Sequence, residues 1–170
     1  MSPLLKPAAP LPSFSRLLRE PVLLLAFGFG SGLAPRAPGT AGSLVALALA
    51  AGFTGLPFTL PAAALWLLLG TVVAAGIAIC GSAARRMDAP DHPGIVWDEF
   101  AGLWLTLALA PAGFGWWIAG FVLFRIFDIV KPWPIAWFDR RWKGGLGIMV
   151  DDLLAGLFAG LMLRVAGAVS

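Results

Sequence analysis

Five acidic side chains occur in or beside apolar segments of the sequence, where a charged group is costly. These five are Asp98, Glu99, Asp128, Asp151 and Asp152. Carboxylates crowded in a layer of low dielectric constant need a cation or a proton to limit their repulsion. The bases Arg125 and Lys131 lie close by in the sequence and could form ion pairs, but acids would remain in excess. The pattern therefore indicates a functional site that holds a divalent ion.

The available ligand atoms favour a hard ion. Cys80 is the single cysteine and His92 the single histidine, so a thiolate site and a multi-histidine site are both excluded. Carboxylate oxygens bind Mg²⁺ best, with Mn²⁺ as the second choice, and such an ion takes phosphate as a further partner. All five acids are candidate metal ligands. Four of them are also candidate catalytic groups: Asp98, Glu99, Asp128 and Asp152.

Two kinds of group could bind the phosphate. Arg125 offers a planar fork of donors and Lys131 a point charge, although a lysine at this place could simply flank a membrane. The stretch PGTAGS at residues 38–43 contributes Gly39, Thr40 and Ser43. Free amides at a helix N-terminus bind anions, so these residues are candidate phosphate ligands. An ordinary helix start explains the same stretch equally well.

His92 is a candidate general acid for the leaving group, because histidine titrates near neutral pH. It lies in the short sequence DHPG. A loop residue without a catalytic role is an equally good interpretation of this pattern.

The composition places these residues in a membrane protein. The chain has 170 residues, of which 59% are hydrophobic and 12% charged. No charged residue occurs between positions 37 and 84 or between 100 and 124, and each stretch is long enough to cross a bilayer. The net charge of +3 comes from bases scattered between apolar segments, so no nucleic-acid partner is expected. We predict a disordered Pro-rich tail at 1–13 and a single membrane-embedded domain at 14–170.

The apolar segments predict an all-α membrane protein, a compact bundle of about five transmembrane helices. Two hairpins and a C-terminal span make up the bundle: 41–56 with 61–80, 95–110 with 114–130, and 147–168. A single kinked span over 100–124 is the alternative to the second hairpin. The glycine-rich segment 22–35 is expected to be interfacial or re-entrant. Lysines and arginines cluster at one set of helix ends, which places the N-terminus and the acids at the cytoplasmic face.

Small residues indicate which way the acids point. Asp152 shares a helical face with Gly156 and Gly160, and Asp98 has Gly102 one turn further along. Stripes of small residues let membrane helices pack closely. We therefore expect these carboxylates to face the interior of the bundle.

Five strings of residues, taken in order, resemble the phosphatidylglycerophosphatase A family of bacterial membrane lipid phosphatases. They are GFGSGL, PGTAGS, VWDEFAG, FRIFDIVKPWPI and WFDRRWKGGLGIMVDDLLAG, and the likeness extends from about Val22 almost to the C-terminus. The resemblance implies a Mg²⁺-dependent enzyme of the bacterial inner membrane. Its substrate would be phosphatidylglycerophosphate, and its products phosphatidylglycerol and inorganic phosphate. It also adds Asp139 to the motif acids.

The residue pattern by itself leaves other functions open. A small ion or proton transporter also carries acids within membrane helices, although no internal repeat is visible here. A phosphatase for another lipid phosphomonoester fits the same site. Attack by water and an aspartyl-phosphate intermediate are both compatible with the residues. The sequence does not indicate an oligomeric state.

Overall fold

The structure is a computed structural model that describes residues 10–52, 61–90 and 92–169, with Arg140 described in its backbone only. Every regular element in these residues is helical, which confirms the predicted all-α class for the described part of the chain. The helices are α1 (Phe14–Arg19), α2 (Pro21–Ala26), α3 (Pro38–Gly52), α4 (Ala62–Arg86), α5 (Trp97–Leu109), α6 (Phe114–Val130), α7 (Ile135–Arg141) and α8 (Gly144–Ala168), with a 3₁₀ segment at Gly28–Leu33 between α2 and α3.

The predicted helix limits agree best with the observed ones where turn residues mark the end of a helix. α6 has the predicted limits, whereas α4 continues six residues beyond Cys80 to Arg86, because small residues and arginines sustain a helix after the apolar run ends. α8 begins at Gly144, three residues before the predicted start at residue 147. The predicted connection between the first two spans lies at 57–61, and all of it except Pro61 is outside the described residues.

The second hairpin is present as two separate helices. Ala110 is extended after α5, and Gly113 precedes α6 with a φ of 128°, a conformation that glycine adopts without strain. α5 and α6 pack against each other, and Gly120 faces Leu107 at the contact. The kinked single helix over 100–124 is therefore wrong. Lys131 ends α6 in a left-handed conformation, with a φ of 44°.

The segment predicted to be interfacial or re-entrant is not a continuous helix. α2 is followed by the 3₁₀ segment, which contains left-handed residues at Phe29 and Gly30. Leu23, Ala26 and Phe27 are fully buried and belong to the same apolar cluster as Cys80 of α4. The N-terminal part thus packs onto the helical bundle. Ser13, the last residue of the predicted disordered tail, caps α1, while residues 1–9 are outside the described part.

Two of the described helices are long and apolar enough to cross a membrane. They are α4 and α8, each of 25 residues, and α3 is apolar but shorter. α8 lies at the centre, in contact with α4, α5, α6 and α7, whereas most of α4 points its apolar side chains outwards. Leu67, for example, is 73% exposed. The five-span arrangement remains a prediction.

The helices α5 and α8 pack closely against each other. A Cβ atom added to Gly156 would collide with the carbonyl group of Gly102, and one added to Gly102 would collide with the backbone of Asp152. Thr106 Oγ1 donates to the carbonyl oxygens of Gly102 at 3.0 Å and Gly156 at 3.1 Å. The predicted small-residue contact is therefore confirmed, and it brings the backbones of the two acid-bearing helices together.

Replacing Gly156 with leucine should open this contact. Because added bulk in a closely packed interface forces the backbones apart, we expect Gly156→Leu to lower the stability by about 1–3 kcal/mol. Gly70→Leu is the matched control, since Gly70 lies inside α4 and a Cβ atom added there would have no neighbour within 4 Å. Thermal unfolding in detergent compares the two. Equal melting temperatures would contradict the backbone contact.

Candidate active site

Three carboxylates from two helices meet inside the bundle. Asp98 and Glu99 lie in the first turn of α5 and Asp152 lies in α8. Each offers one oxygen atom, and these atoms all lie within 4.8 Å of one another. We call Asp98, Glu99 and Asp152 the acid trio. The contact between Gly102 and Gly156, about one turn away, holds these carboxylates together.

One oxygen atom of each trio member is buried without a hydrogen-bond partner in the described part of the chain. The atoms are Asp98 Oδ1, Glu99 Oε2 and Asp152 Oδ2. Buried carboxylate oxygens normally accept hydrogen bonds or bind a cation, because losing contact with water is costly. The trio therefore offers oxygen atoms of the kind that a hard divalent ion binds. These atoms have no other partner among the described residues that would compete with the ion.

Arg125 lies beside the trio and pairs with acids of α5 and α6. Its Nη1 forms an ion pair with Asp128 Oδ2, as the i, i+3 spacing predicts, and lies 3.8 Å from Glu99 Oε1. Asp128 in turn lies beside Asp152. The Arg125 side chain is 13% exposed, and its Nε has no partner among the described residues. Arg125 thus links the trio to the edge of α6 and keeps one donor group unused.

Lys131 pairs with a different set of acids. Its Nζ donates to Asp139 Oδ1 of α7 at 3.0 Å and to Asp151 Oδ2 of α8. Burial by itself lowers the pKa of Lys131, but the hydrogen bonds and charges of Asp151 and Asp139 outweigh burial and raise the pKa above its usual value. The lysine is therefore protonated at neutral pH. It ties the end of α6 to α7 and α8.

The two bases therefore divide the acids between them. Arg125 neutralises Asp128 and Lys131 neutralises Asp151. Of the acid trio, only Glu99 has an ion pair in the described part of the chain, and that pair is the long one to Arg125. Ion pairing, the alternative explanation of the acids, accounts for Asp128 and Asp151 but leaves the trio uncompensated.

The PGTAGS stretch contributes to the site through packing and through Ser43. Gly39 is buried against Glu99 and Arg125, so a larger residue would collide with both. Ser43 Oγ donates to the carbonyl oxygen of Gly39 at 2.8 Å and accepts from Arg125 Nη1 at 3.4 Å. Thr40 lies in the first turn of α3 and lines a groove together with Arg125. All three candidate phosphate ligands of the PGTAGS stretch, Gly39, Thr40 and Ser43, thus lie beside Arg125.

The side chain of His92 contacts Gly94 and Phe27. It is 2% exposed, its Nδ1 accepts from the amide of Gly94 at 3.0 Å, and its ring packs against Phe27. Its Nε2 has no hydrogen-bond partner among the described residues, and the neighbouring Asp91 is not one of them. No hydrogen bond in that part of the chain joins His92 to the acid trio. Its role as a general acid stays a prediction.

Two features of the site were not recognised in the sequence. Thr106 bridges the carbonyl groups of α5 and α8, and its position four residues after Gly102 was the available signal. Cys80 Sγ lies 3.9 Å from Met149 Sδ, and both side chains are fully buried next to the acids. Cys80 and Met149 have no charge and belong to no recognisable motif, so nothing in the sequence pattern distinguished these two from core residues.

The sequence matches the family model described as Phosphatidylglycerophosphatase A over residues 24–167. A protein of Escherichia coli strain K12 named phosphatidylglycerophosphatase A is 48% identical over 155 residues, which cover 90% of this chain and 88% of the relative. A protein of the same name from Haemophilus influenzae is 44% identical, over 84% of this chain and 86% of the relative. The chain belongs to the phosphatidylglycerophosphatase A family.

Family membership covers every element of the site. The matched range contains α3, α5–α7 and α8 up to residue 167, so the acid trio, Arg125, Lys131 and the PGTAGS stretch all lie inside it. The predicted resemblance is confirmed. No solved structure matches the chain.

Removing the charge of Lys131 should lower the free energy of unfolding more than removing the charge of Asp139, its exposed partner. In Lys131→Met, Asp151, whose side chain is 11% exposed, loses its counter-ion. We expect a loss of about 1–3 kcal/mol for this change, because a mostly buried carboxylate is left unpaired. Asp139 is 40% exposed, so Asp139→Asn should cost no more than about 1 kcal/mol. Thermal unfolding in detergent measures both, and a larger loss for Asp139→Asn would contradict the assignment.

Proposed function

We propose that this chain hydrolyses the terminal phosphate of phosphatidylglycerophosphate to give phosphatidylglycerol and inorganic phosphate, with Mg²⁺ held by the acid trio. Family membership supports the reaction. The observation that supports the site is the meeting of three carboxylates within 4.8 Å, each with a buried oxygen that lacks a partner among the described residues. The transporter alternative receives no support from the family to which the chain belongs.

Asp98, Glu99 and Asp152 would hold the ion, with Asp128 and Asp151 as further candidate ligands. A bound divalent ion would polarise the phosphoryl group and offset the charge that develops on it. Mg²⁺ fits this donor set because it prefers oxygen ligands and keeps sites open for phosphate and water. Mn²⁺ fits the same donor set as a second choice.

Arg125 is the residue best placed to bind the phosphate. Its unpartnered Nε and its contact with Glu99 put a fixed positive charge beside the trio. Guanidinium groups donate two parallel hydrogen bonds to phosphate oxygens, which orients the phosphoryl group for attack. Ser43 Oγ accepts a hydrogen bond from Arg125 Nη1, and Thr40 lines a groove together with Arg125. Lys131 is engaged with Asp139 and Asp151, so we propose that it positions α8 and adds positive charge from a distance.

The chemical step is attack of water on the terminal phosphorus atom, which breaks the bond from phosphorus to the glycerol oxygen. One trio carboxylate accepts the proton of the attacking water, and the departing glycerol oxygen takes up a proton. His92 is the candidate donor of that proton, and its Nε2 has no hydrogen-bond partner among the described residues. Formation of an aspartyl-phosphate is the alternative route, in which one of these carboxylates attacks phosphorus itself.

We further propose that the domain crosses the bacterial inner membrane five times, with α3, α4, α5, α6 and α8 as spans and the acids at the cytoplasmic face. The exposed apolar side chains of α4, α6 and α8 support contact with lipid. α3, α5 and α6 are short for a bilayer about 30 Å thick, which local thinning would accommodate. Arg85, Arg86 and Lys143 lie at the ends that would face the cytoplasm.

Substitutions in the acid trio test the site. Asp98→Asn and Asp152→Asn each remove a negative charge without changing the shape of the side chain, so both should lower the rate of phosphate release from phosphatidylglycerophosphate by about 100-fold or more. Phosphate release in detergent micelles measures the rate, with Mg²⁺ and with a chelator. The chelator should abolish wild-type activity, and added Mg²⁺ should restore it.

Asp88→Asn is the matched control for these variants. Asp88 is exposed and has a φ of 48°, which asparagine tolerates well, so activity should stay near the wild-type rate. Full activity in both trio variants would refute the site. Activity that persists in the chelator would refute the metal requirement alone.

Labelling of single cysteines tests the topology. In a Cys80→Ala background, cysteines at Ala112 and Lys143 should react with a membrane-impermeant maleimide from opposite sides of sealed vesicles. Ala112 is chosen because it is exposed in the turn between α5 and α6 and avoids the left-handed Gly113. Labelling of both positions from one side would contradict the five-span arrangement.

A further inference from the structure

A groove on the outside of the bundle lies between the start of α3 and the length of α6. Its volume is about 380 Å³, which is within the range of about 300–1,000 Å³ that is usual for ligand clefts. The residues that line it are Thr40, Phe121, Val122, Arg125, Ile126, Ile129 and Val130. Five of these seven are aliphatic or aromatic, and the surface that the groove exposes is almost entirely apolar. We call it the α3/α6 groove.

The groove leads to the acid trio through Arg125. The side chain of this residue forms part of the groove wall, and its Nη1 lies 3.8 Å from Glu99 Oε1. Gly39 permits this arrangement, because any side chain there would occupy the space between α3 and both Glu99 and Arg125. A molecule in the groove would therefore be one side chain away from the trio.

The chemistry of the wall restricts what the groove can hold. Val122, Ile126, Ile129 and Val130 are between 47% and 68% exposed, so the apolar part needs a hydrocarbon to cover it. Arg125 is paired with Asp128 through Nη1, but its Nε lacks a hydrogen-bond partner within the described residues. A water-soluble phosphate would leave the apolar wall uncovered, and a lipid without a phosphate would bring no anion to the side chain that we propose binds the terminal phosphate. A lipid that carries a phosphate satisfies both.

We propose that the α3/α6 groove is the lateral entrance for the lipid substrate: one acyl chain lies along α6 while the terminal phosphate reaches Arg125 and Thr40. This inference rests on the proposed function and adds the path by which the substrate approaches. The lipid then moves sideways from the bilayer into the site and never leaves the membrane. The groove contributes to binding of the acyl chain, and the acid trio to the reaction.

Photo-crosslinking tests the groove directly. Phosphatidylglycerophosphate with a diazirine in one acyl chain is irradiated with the wild-type protein in nanodiscs, and the adducts are mapped by mass spectrometry. Adducts are expected on residues 121–130 of α6, and they should be displaced by unlabelled phosphatidylglycerophosphate but not by phosphatidylcholine. Adducts spread evenly over the exposed faces of α4, α6 and α8, with no displacement, would overturn the proposal.

A substitution that fills the groove gives a second, kinetic test. Ile126→Trp should raise the KM for phosphatidylglycerophosphate about tenfold and leave kcat within a factor of about two, because the chain is excluded while the trio is untouched. Leu161→Trp is the matched control, since Leu161 is 44% exposed on α8 and Ile126 is 49% exposed on α6. Equal KM values for the two variants would refute the groove.

The same preparation separates the two proposals. Wild-type protein that releases no phosphate from phosphatidylglycerophosphate refutes the proposed function. Active wild-type protein that shows neither displaceable adducts on α6 nor a raised KM in Ile126→Trp refutes the entrance alone. A melting temperature of Ile126→Trp near that of Leu161→Trp ensures that the comparison concerns folded protein.

Discussion

The backbones of α5 and α8 touch where Gly102 faces Gly156, and the rest of the site depends on this contact. Two helices that carry ordinary side chains at their crossing would keep their acids further apart. Here the crossing lies about one turn from Asp98 and Asp152, so their carboxylates meet together with Glu99. Thr106 holds the crossing by donating to a carbonyl group of each helix. Close packing of the two helices thus holds like charges together despite their mutual repulsion.

The bases around the trio limit that repulsion without removing it. Arg125 and Lys131 lie six residues apart at the end of α6 and engage different acids, Asp128 and Asp151. A third base inside the bundle would have neutralised the trio and left no place for a cation. The local charge balance is consistent with a site that gains most of its compensation from a bound ion. The same Arg125 also borders the α3/α6 groove, so one residue connects that groove with the carboxylates of the site.

Much of the architecture followed from patterns along the chain. The helical class, the separation of α5 from α6 at Pro111 and Gly113, and the inward direction of Asp152 were all predictable, because turn residues and small-residue spacing act over only a few positions. The ends of α4 and α8 were less predictable, since Gly81 and Gly144 are compatible with either a helix or a turn. Their helical state depends on packing, as Gly81 and Gly145 face each other between α4 and α8.

The sequence by itself determined which residues could do chemistry: five acids, two nearby bases, no thiol cluster and a single histidine. It also determined the family, because the order of the motifs is a property of the chain. Only the tertiary structure decided how those residues are grouped. Asp98, Glu99 and Asp152 form the trio, Asp151 belongs with Lys131, and His92 lies against Phe27. The physical reason is that the spacing of residues along one helix sets the face on which a side chain lies. The residue that it meets on the neighbouring helix is set by how the two helices cross.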